Sequence, residues 1–397
     1  METKGTNNRN VKPVLIAGAG PVGLTAALGL ARLGVRVEVF EKRPTPNLAS
    51  KGSTFHPPTL EILDELGVVD KALRNGERAS AIDYYDRGRR VARLEMSLIA
   101  DLTRYPFRIQ YEQADVTVDM FAALRRYSNA TVHFGAAVAA AETTAGGVRL
   151  FLEDGTNVNG SLLVAADGAK STLRTKLRID FEGEDYASRV LRIFTDAELD
   201  RFIPDIAPVS YLYDGERSIS ALKMARGWRI LFRIPAGQSD EAALEDRHIR
   251  SLLQETFGSD GRSMPIVWKD VYAASRRVAE RYYDGRIVLA GDAAHVSNTR
   301  GGMNMNCGIH DAYALVEAAA RILNGATDER ELEGYAWNRQ RVAKEHLIPL
   351  SDRAVSTGAA RLAEMQAVAA DPVAARAYLA ASSLLDVAPP RNAKALA

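Results

Sequence analysis

This sequence predicts an α/β fold with a parallel sheet at its centre, an antiparallel sheet inserted into it and a helical end. Three observations predict it. An apolar run of strand length, Val14–Ala17, leads into Gly18, Gly20 and Gly23 at G-x-G-x-x-G spacing. A helical stretch over 24–33 and a second strand-like run over 35–40 follow. Two further apolar runs, 162–166 and 286–290, each break at an acid in a turn, Asp167 and Asp292, before a helix. Between them the character changes: strand-like runs fall at 190–194, 209–213, 219–224, 228–234 and 267–275, interrupted by one helix over 242–257.

A chain of 397 residues exceeds one typical core and suits two or more domains. Hydrophobic residues at 47% and charged residues at 25% are those of a globular protein. The net charge of +1 provides no global field to hold nucleic acid or a membrane surface, so neither is expected as a partner. Cys307 is the one cysteine, which excludes an internal disulfide or redox dithiol. The six histidines form no cluster at metal spacing, and no metal is expected. No apolar run reaches the ~20 residues of a membrane span. The start is polar and lacks a secretory h-region, so a cytoplasmic protein is expected.

In chain order, the first element reads as strand, tight turn, helix, strand, acid. Gly18 permits the turn, Gly20 lets a pyrophosphate approach the backbone, and Gly23 lets helix and strand pack closely. The helix N-terminus offers free N–H groups and the positive end of its dipole to phosphates. Glu41, eighteen residues after Gly23, is placed to accept from a ribose diol. The alternative is an ordinary glycine turn in a parallel sheet. Lys42 stands beside that acid and Lys51 in the loop after it. Both are counted with the cofactor residues, Lys51 as a partner for a phosphate against the alternative of a solvated lysine. Pro57-Pro58 opens a helix over 59–66. A β-hairpin is expected at 82–85 and 91–94, and a helix over 113–126 with Val116, Met120, Phe121 and Leu124 inward. Short strands run from 131 to 152. The runs ending at Asp167 and Asp292 give the sheet two more strands, and Asp292 is placed to take a second ribose. Gly301 and Gly302 bring bare backbone close to a flat or anionic group just before a long helix over 308–323. Helices over 331–348 and 359–385 finish the fold, with a loose tail from Pro389.

The order G-x-G-x-x-G, then Asp167-Gly168, then Gly291-Asp292-Ala293-Ala294-His295 with Gly301, Gly302 and Asn304 resembles the single-component FAD-dependent aromatic hydroxylases of the para-hydroxybenzoate hydroxylase type. The resemblance runs from Val14 to about Arg353. It implies a Rossmann-like FAD-binding domain with an inserted antiparallel-sheet substrate domain and C-terminal helices. The expected division is 1–177 and 281–355 for FAD, 178–280 for the substrate sheet, and 356–397 for the last helices and tail. It implies FAD with its adenosine ribose at Glu41, its pyrophosphate at Gly18–Gly23 and its ribityl chain at Asp292. Gln113 matches the helix-start glutamine near the flavin. Asp167 matches the motif tied to FAD and to the nicotinamide donor, and Lys51 falls where the family often has a flavin-side arginine. Gly301, Gly302, Met303, Asn304, Met305 and Asn306 would lie along the isoalloxazine ring. Where the family usually has Pro-Pro, this chain has Asn298-Thr299 followed by Arg300, which implies a more polar pocket. Asn304 stands where the family has glycine.

The implied reaction is hydroxylation of a small phenol or N-heteroaromatic compound by a flavin C4a-hydroperoxide, with NADPH or NADH as transient donor and O₂. The partner is a small aromatic substrate, and a homodimer is left open. A proton acceptor or donor network would help a phenol react; the candidates are Tyr211 and Tyr213 on an inserted strand and His56 in the flavin-side loop. The alternatives are half-buried packing for the tyrosines and a surface loop position for His56. His295 is expected to support the Asp292 turn, Cys307 to be a small residue at a helix start, and Trp228 and Trp337 to pack cores. A halogenase, a plain reductase and a non-catalytic flavin-binding protein stay open as alternatives. No second G-x-G-x-x-G exists for a resident nicotinamide.

Overall fold

The structure is a computed structural model that describes residues 12–49, 51–215, 217–323, 330–355 and 358–389. Its central sheet has six strands in the order Tyr283–Asp284, Ile287–Leu289, Leu162–Ala165, Val14–Ala17, Val37–Glu41 and Ala130–Phe134. All pairs are parallel except the first. The strand Val14–Ala17 is buried along its whole length, as a strand covered on both faces must be. The helix Pro21–Arg32 follows it, and it is covered on nearly every side. Nearly every residue from Pro21 to Ala31 is buried, because Met303–Leu323 and Gln113–Leu124 pack over the side that would otherwise meet water. A Cβ on Gly29 would stand 2.6 Å from Val316, so that glycine sets how closely the two helices approach.

The second sheet has eight strands: His295–Val296, Trp268–Ala279, Phe181–Thr195, Gly227–Ile234, Arg217–Met224, Val209–Asp214, Ala81–Asp86 and Arg89–Glu95. The hairpin of the last two strands comes from the stretch assigned to the first cofactor part, and joins the inserted strands through a parallel pairing of Val209–Asp214 with Ala81–Asp86. Alternation sorts side chains to two cores. Leu212, Ile219 and Phe232 face a core closed by the helix Asp246–Phe257. Tyr84, Tyr211 and Tyr213 face the other, closed by Leu362, Met365 and Leu379 of the C-terminal helices.

Several elements depart from the sequence reading. The helix expected over 242–257 is two, Asp240–Ala243 and Asp246–Phe257, with Ser239 capping the first by accepting from the Ala242 N–H. The helix expected over 359–385 is also two, Gly358–Ala370 and Pro372–Ser382. Pro372 lacks the N–H a continuous helix needs, and Asp371 caps the new start by accepting from Val373 N. The helix expected from 308 starts at Met303. Trp228 is fully buried as expected, but Trp337 is 65% exposed and lies against Arg341 rather than in a core. The expected tail beyond Pro389 lies outside the described residues.

Candidate active site

The strand ends at Ala17, Ala165 and Leu289 open onto one groove of about 500 Å³. Gly18, Gly20, Glu41 and Lys42 line one part of it, and Lys51, Gln113, Asp167, Asp292 and Met305 the rest. Its glycines divide their tasks. Gly18 has φ +103°, and a Cβ there would meet the Ala166 carbonyl oxygen at 2.4 Å. Gly23 is outside the groove; its Cβ would lie 1.9 Å from the Gly18 carbonyl oxygen, so its role is packing the helix on the turn. Gly20 sits just before the helix with φ −79°, and a Cβ there would meet nothing within 4 Å. The bare backbone of Gly20 at a helix N-terminus therefore faces open groove, as an anion cradle requires.

The acids are held by the chain. Glu41 accepts from the Ala19 N–H at 2.9 Å and from the Arg43 N–H at 3.0 Å, so its carboxylate is fixed at the groove wall. Asp292 accepts from the Asn304 amide at 2.9 Å, and burial pushes its pKa up against the opposing charges of His295 and Lys51. Asp167, on the groove wall, is also engaged by the chain. It accepts from Ser171 Oγ at 2.6 Å and from the Leu173 N–H at 3.1 Å, which makes it the organiser of the helix start at Thr172. Gln113 and Gly52 bond each other twice, at 3.0 and 3.2 Å, and so pin the loop that carries Lys51. The Lys51 carbonyl accepts from Arg192 and Arg229, each at 3.1 Å, from the neighbouring sheet.

The Gly301–Asn306 segment, expected along the isoalloxazine ring, is a turn at Gly301 and Gly302 that runs into a helix. Met303 starts a helix and is buried with Cys307, Val342, Leu347 and Leu384. Asn306 is fully buried and donates to the carbonyls of Thr54 and Gly302 at 2.8 and 2.6 Å, so its amide is spent on the chain. Asn304 is spent on Asp292 and His295. Gly302, with φ +71°, is pressed on Thr54, which a Cβ would meet at 2.8 Å. The surface position weighed as the alternative for His56 does not hold. The imidazole is fully buried, lines neither the groove nor the cavity described next, and donates from Nε2 to the Gly301 carbonyl at 2.8 Å. Burial and then Arg108 drive its pKa well below the histidine range. A neutral imidazole tied to a carbonyl braces the Gly301 turn.

A second cavity, about 370 Å³, lies between the eight-stranded sheet and the C-terminal helices. Tyr211 and Tyr213 both line it, from the same side of their strand, as their spacing requires. Tyr213 Oη accepts from Arg300 at 3.2 Å; the Arg300 guanidinium lies 4.7 Å from the Tyr211 ring centroid. Burial raises the Tyr211 pKa against the charges of Arg108 and Arg300. The rest of the lining was not foreseen: Tyr84 from the hairpin stands beside Tyr211 on the sheet and bonds Tyr378 Oη of the opposite wall at 3.0 Å, and Arg361 donates to the same oxygen at 2.8 Å. Arg108 and Arg300 also line the cavity. Sequence singled out Arg300 only as a departure; a strand arginine such as Arg108 carries no local signal.

Beneath both spaces runs a buried charge chain. His295 donates to Asp311 at 2.8 Å, and Arg339 donates to the other Asp311 oxygen at 2.7 Å. Burial alone would lower the His295 pKa, but Asp311 and then Cys307 outweigh it and raise it well above the usual value. The ligand-type atoms of His295, Cys307 and Asp311, the last two one turn apart on the helix Met303–Leu323, lie within 4.8 Å of one another. Arg339 already neutralises this group, donating to Asp311 and reaching Cys307 at 3.5 Å.

Fold and groove together define a class, the dinucleotide-binding α/β proteins whose cofactor lies across the carboxyl ends of a parallel sheet. Comparison with known proteins narrows it. Residues 12–348 match the family described as FAD binding domain. The chain belongs to that family, among the single-component FAD-dependent aromatic hydroxylases. It is 26% identical over 348 residues to a para-nitrophenol 4-monooxygenase of Pseudomonas sp. (strain WBC-3), covering 85% of this chain and 84% of that one. It is 28% identical to the pentachlorophenol 4-monooxygenase of Sphingobium chlorophenolicum, over 84% of this chain and 63% of the relative's length. The crystal structure of p-nitrophenol 4-monooxygenase from Pseudomonas putida DLL-E4 shares the fold, with a TM-score of 0.86, 22% identity and coverage of 93% and 96% of the two chains. Among the described residues no helix is long and apolar enough to cross a membrane. The groove fits FAD on its own terms: open bare backbone at Gly20, a helix N-terminus beside it, and the two carboxylates Glu41 and Asp292 on its walls.

Proposed function

We propose that this protein is an FAD-dependent monooxygenase that uses NADH or NADPH and O₂ to hydroxylate a small phenol or N-heteroaromatic ring. One observation carries the reading beyond FAD binding. In the first turn of the helix Met303–Leu323, Met303 lines the cavity and Met305, two residues on, lines the groove. A ring in the cavity and a cofactor in the groove would then share one thin wall.

Bound FAD supplies electron transfer from the nicotinamide and activation of O₂. The chain supplies position and dryness. Gly18, Gly20 and the helix N-terminus would hold the pyrophosphate, Glu41 the adenosine ribose, and Asp292 the ribityl hydroxyls, with Lys42 and Lys51 near the phosphates. Tyr213 and Arg300 would orient the substrate's polar group. Tyr84, Tyr211 and the helices Gly358–Ala370 and Pro372–Ser382 exclude water from the ring. Residues 1–177 and 281–355 would carry the cofactor, while the 178–280 sheet and the helices after 356 share the substrate cavity between them. The test is to purify the protein, measure FAD per chain, and follow NAD(P)H oxidation with phenols and hydroxypyridines. We expect about one FAD per chain, oxidation stimulated by ligand, and a hydroxylated product by mass. A colourless protein, or a yellow one whose NAD(P)H oxidation no aromatic stimulates, would count against the proposal.

A further inference from the structure

One face of the helix Met303–Leu323 carries Asn304, Cys307, Gly308 and Asp311, at the i, i+3, i+4, i+7 spacing that lines residues up along a helix. That face lies on the turn over 291–295, and Gly308 permits the approach: a Cβ there would stand 2.9 Å from the Gly291 Cα. The helix grips the turn at two points. Asp311 accepts from the Gly291 N–H at 3.1 Å, and Asn304 donates from Nδ2 to Asp292 Oδ1 at 2.9 Å. His295 bridges the two, with Nε2 2.8 Å from Asp311 and Nδ1 3.3 Å from Asn304 Oδ1. Arg339 closes the far end on the other Asp311 oxygen.

His295 is held protonated, against its burial, by Asp311. A protonated imidazole has two donors and no acceptor. With Nε2 on Asp311, its Nδ1 requires an acceptor, and Asn304 Oδ1 faces it. That contact decides which way round the amide sits, oxygen toward His295 and nitrogen toward Asp292. Asp292, which lines the groove, is thereby held through Oδ1, while among the described residues no hydrogen bond engages its Oδ2. Asn304 itself lines neither the groove nor the cavity, so it reaches a bound cofactor only through that carboxylate. Glycine, the family's usual residue at this position, has no side chain to do so. We propose that Asn304 is a positioning residue: it links the buried His295–Asp311–Arg339 chain to Asp292 and fixes the carboxylate by one oxygen, leaving the other for the cofactor. This rests on reading Asp292 as the acceptor for the ribityl chain. The charged groups facing Asp292 are His295, beyond the amide, and Lys51, from the groove; behind His295 stand Asp311, Arg339, Cys307 and Tyr282. Burial pushes the Asp292 pKa up, and His295, Lys51 and the Asn304 bond pull it down. Loss of the amide therefore moves it further up.

The experiment measures FAD affinity by flavin fluorescence quenching between about pH 5 and about pH 8, and requires no turnover. Asn304→Ala should bind FAD roughly tenfold more weakly at about pH 8, as for loss of a hydrogen bond to a charged group. The deficit should widen toward about pH 5, because without the amide Asp292 takes up its proton at a higher pH. Asn304→Asp keeps the volume but sets a second carboxylate beside the first. At about pH 8 it should bind FAD more weakly than Asn304→Ala, whereas a residue that merely packs would give the reverse order. In an Asp292→Ala background Asn304→Ala should change nothing further. Thermal midpoints check folding, and Asn304→Gly, which installs the family's usual residue, repeats the measurement if the alanine variant does not fold. A parent-like affinity and pH profile in Asn304→Ala or Asn304→Gly overturns the proposal. So does a loss that adds in full to that of Asp292→Ala. Either result leaves the FAD reading standing wherever Asp292→Ala itself binds FAD weakly. Parent-like affinity in Asp292→Ala would remove the ribityl assignment and this proposal together.

Discussion

Replacing Gly20 and Gly23 one at a time by alanine separates cofactor recognition from folding, because the two glycines sit three residues apart in opposite surroundings. At Gly20 the backbone is extended, with φ −79° and ψ 179°, and an added Cβ meets nothing within 4 Å. Alanine fits there without strain and restricts the unfolded chain, so the apoprotein should be unchanged or gain about 0.4–1 kcal/mol. In the groove the same methyl occupies space that a pyrophosphate would need against the bare backbone, so FAD retention should fall by tenfold or more, roughly 1.4 kcal/mol. At Gly23 the Cβ would lie 1.9 Å from the Gly18 carbonyl oxygen. Backbone must move, at a cost of about 1–3 kcal/mol or more, and the apoprotein itself should melt earlier. The assay is thermal melting of the apoproteins beside FAD titration by flavin fluorescence quenching. Undiminished FAD affinity in Gly20→Ala would refute placement of the pyrophosphate at this turn. A Gly23→Ala apoprotein as stable as the parent would refute the packing argument.

Asp292→Ala should lose more FAD than Asp167→Ala, since Asp167 is spent on Ser171 and Leu173; Asp167→Ala should instead cost about 1 kcal/mol of helix-cap stability, read as a lower melting temperature. Tyr213→Phe removes the oxygen that accepts from Arg300, while among the described residues no hydrogen bond engages Tyr211 Oη, so Tyr213→Phe should waste more NAD(P)H as hydrogen peroxide than Tyr211→Phe. Equal coupling in the two variants would contradict this. The folded His295 pKa lies above its unfolded value of about 6.5. Its stabilisation is therefore complete below that pH and lost as pH rises through the folded value, while the lowered Asp311 pKa confines the partner's loss to strong acid. Melting temperature of the parent should thus decline on the alkaline side more steeply than that of His295→Asn, and parallel curves would refute it.

How much could be read in the sequence followed how local the cause was. The parallel strands, the turn at Gly18 and the acids at their ends were legible because each is written in a few adjacent residues: an apolar run, a glycine, a carboxylate. The inserted strands were legible for the same reason, since alternation is a local pattern. Side-chain partners were illegible where they come from far along the chain. The Asn306 amide donates to the carbonyl of Thr54, more than 250 positions away. His56, a proton-network candidate weighed against a surface loop position, is buried, with its Nε2 on the Gly301 carbonyl. Asp167 was in place on the groove wall, yet its two oxygens organise the helix beside it.

The cavity shows the same limit most clearly, and it changes which part of the chain governs substrate choice. From sequence, residues 178–280 were the expected substrate sheet, and so the natural seat of specificity. In the fold that sheet supplies one wall, through Tyr211 and Tyr213, and the hairpin Ala81–Asp86 extends it with Tyr84. The far wall comes from helices that looked like a mere ending: Arg361 in one and Tyr378 in the next. Tyr84 and Tyr378 meet across the space at 3.0 Å, and Arg361 holds the second of them. A ring seated there is therefore gripped between segments about 290 residues apart. Substitutions on the helices Gly358–Ala370 and Pro372–Ser382 should alter substrate choice as strongly as those on the sheet, while leaving the FAD groove, which shares no lining residue with the cavity, untouched.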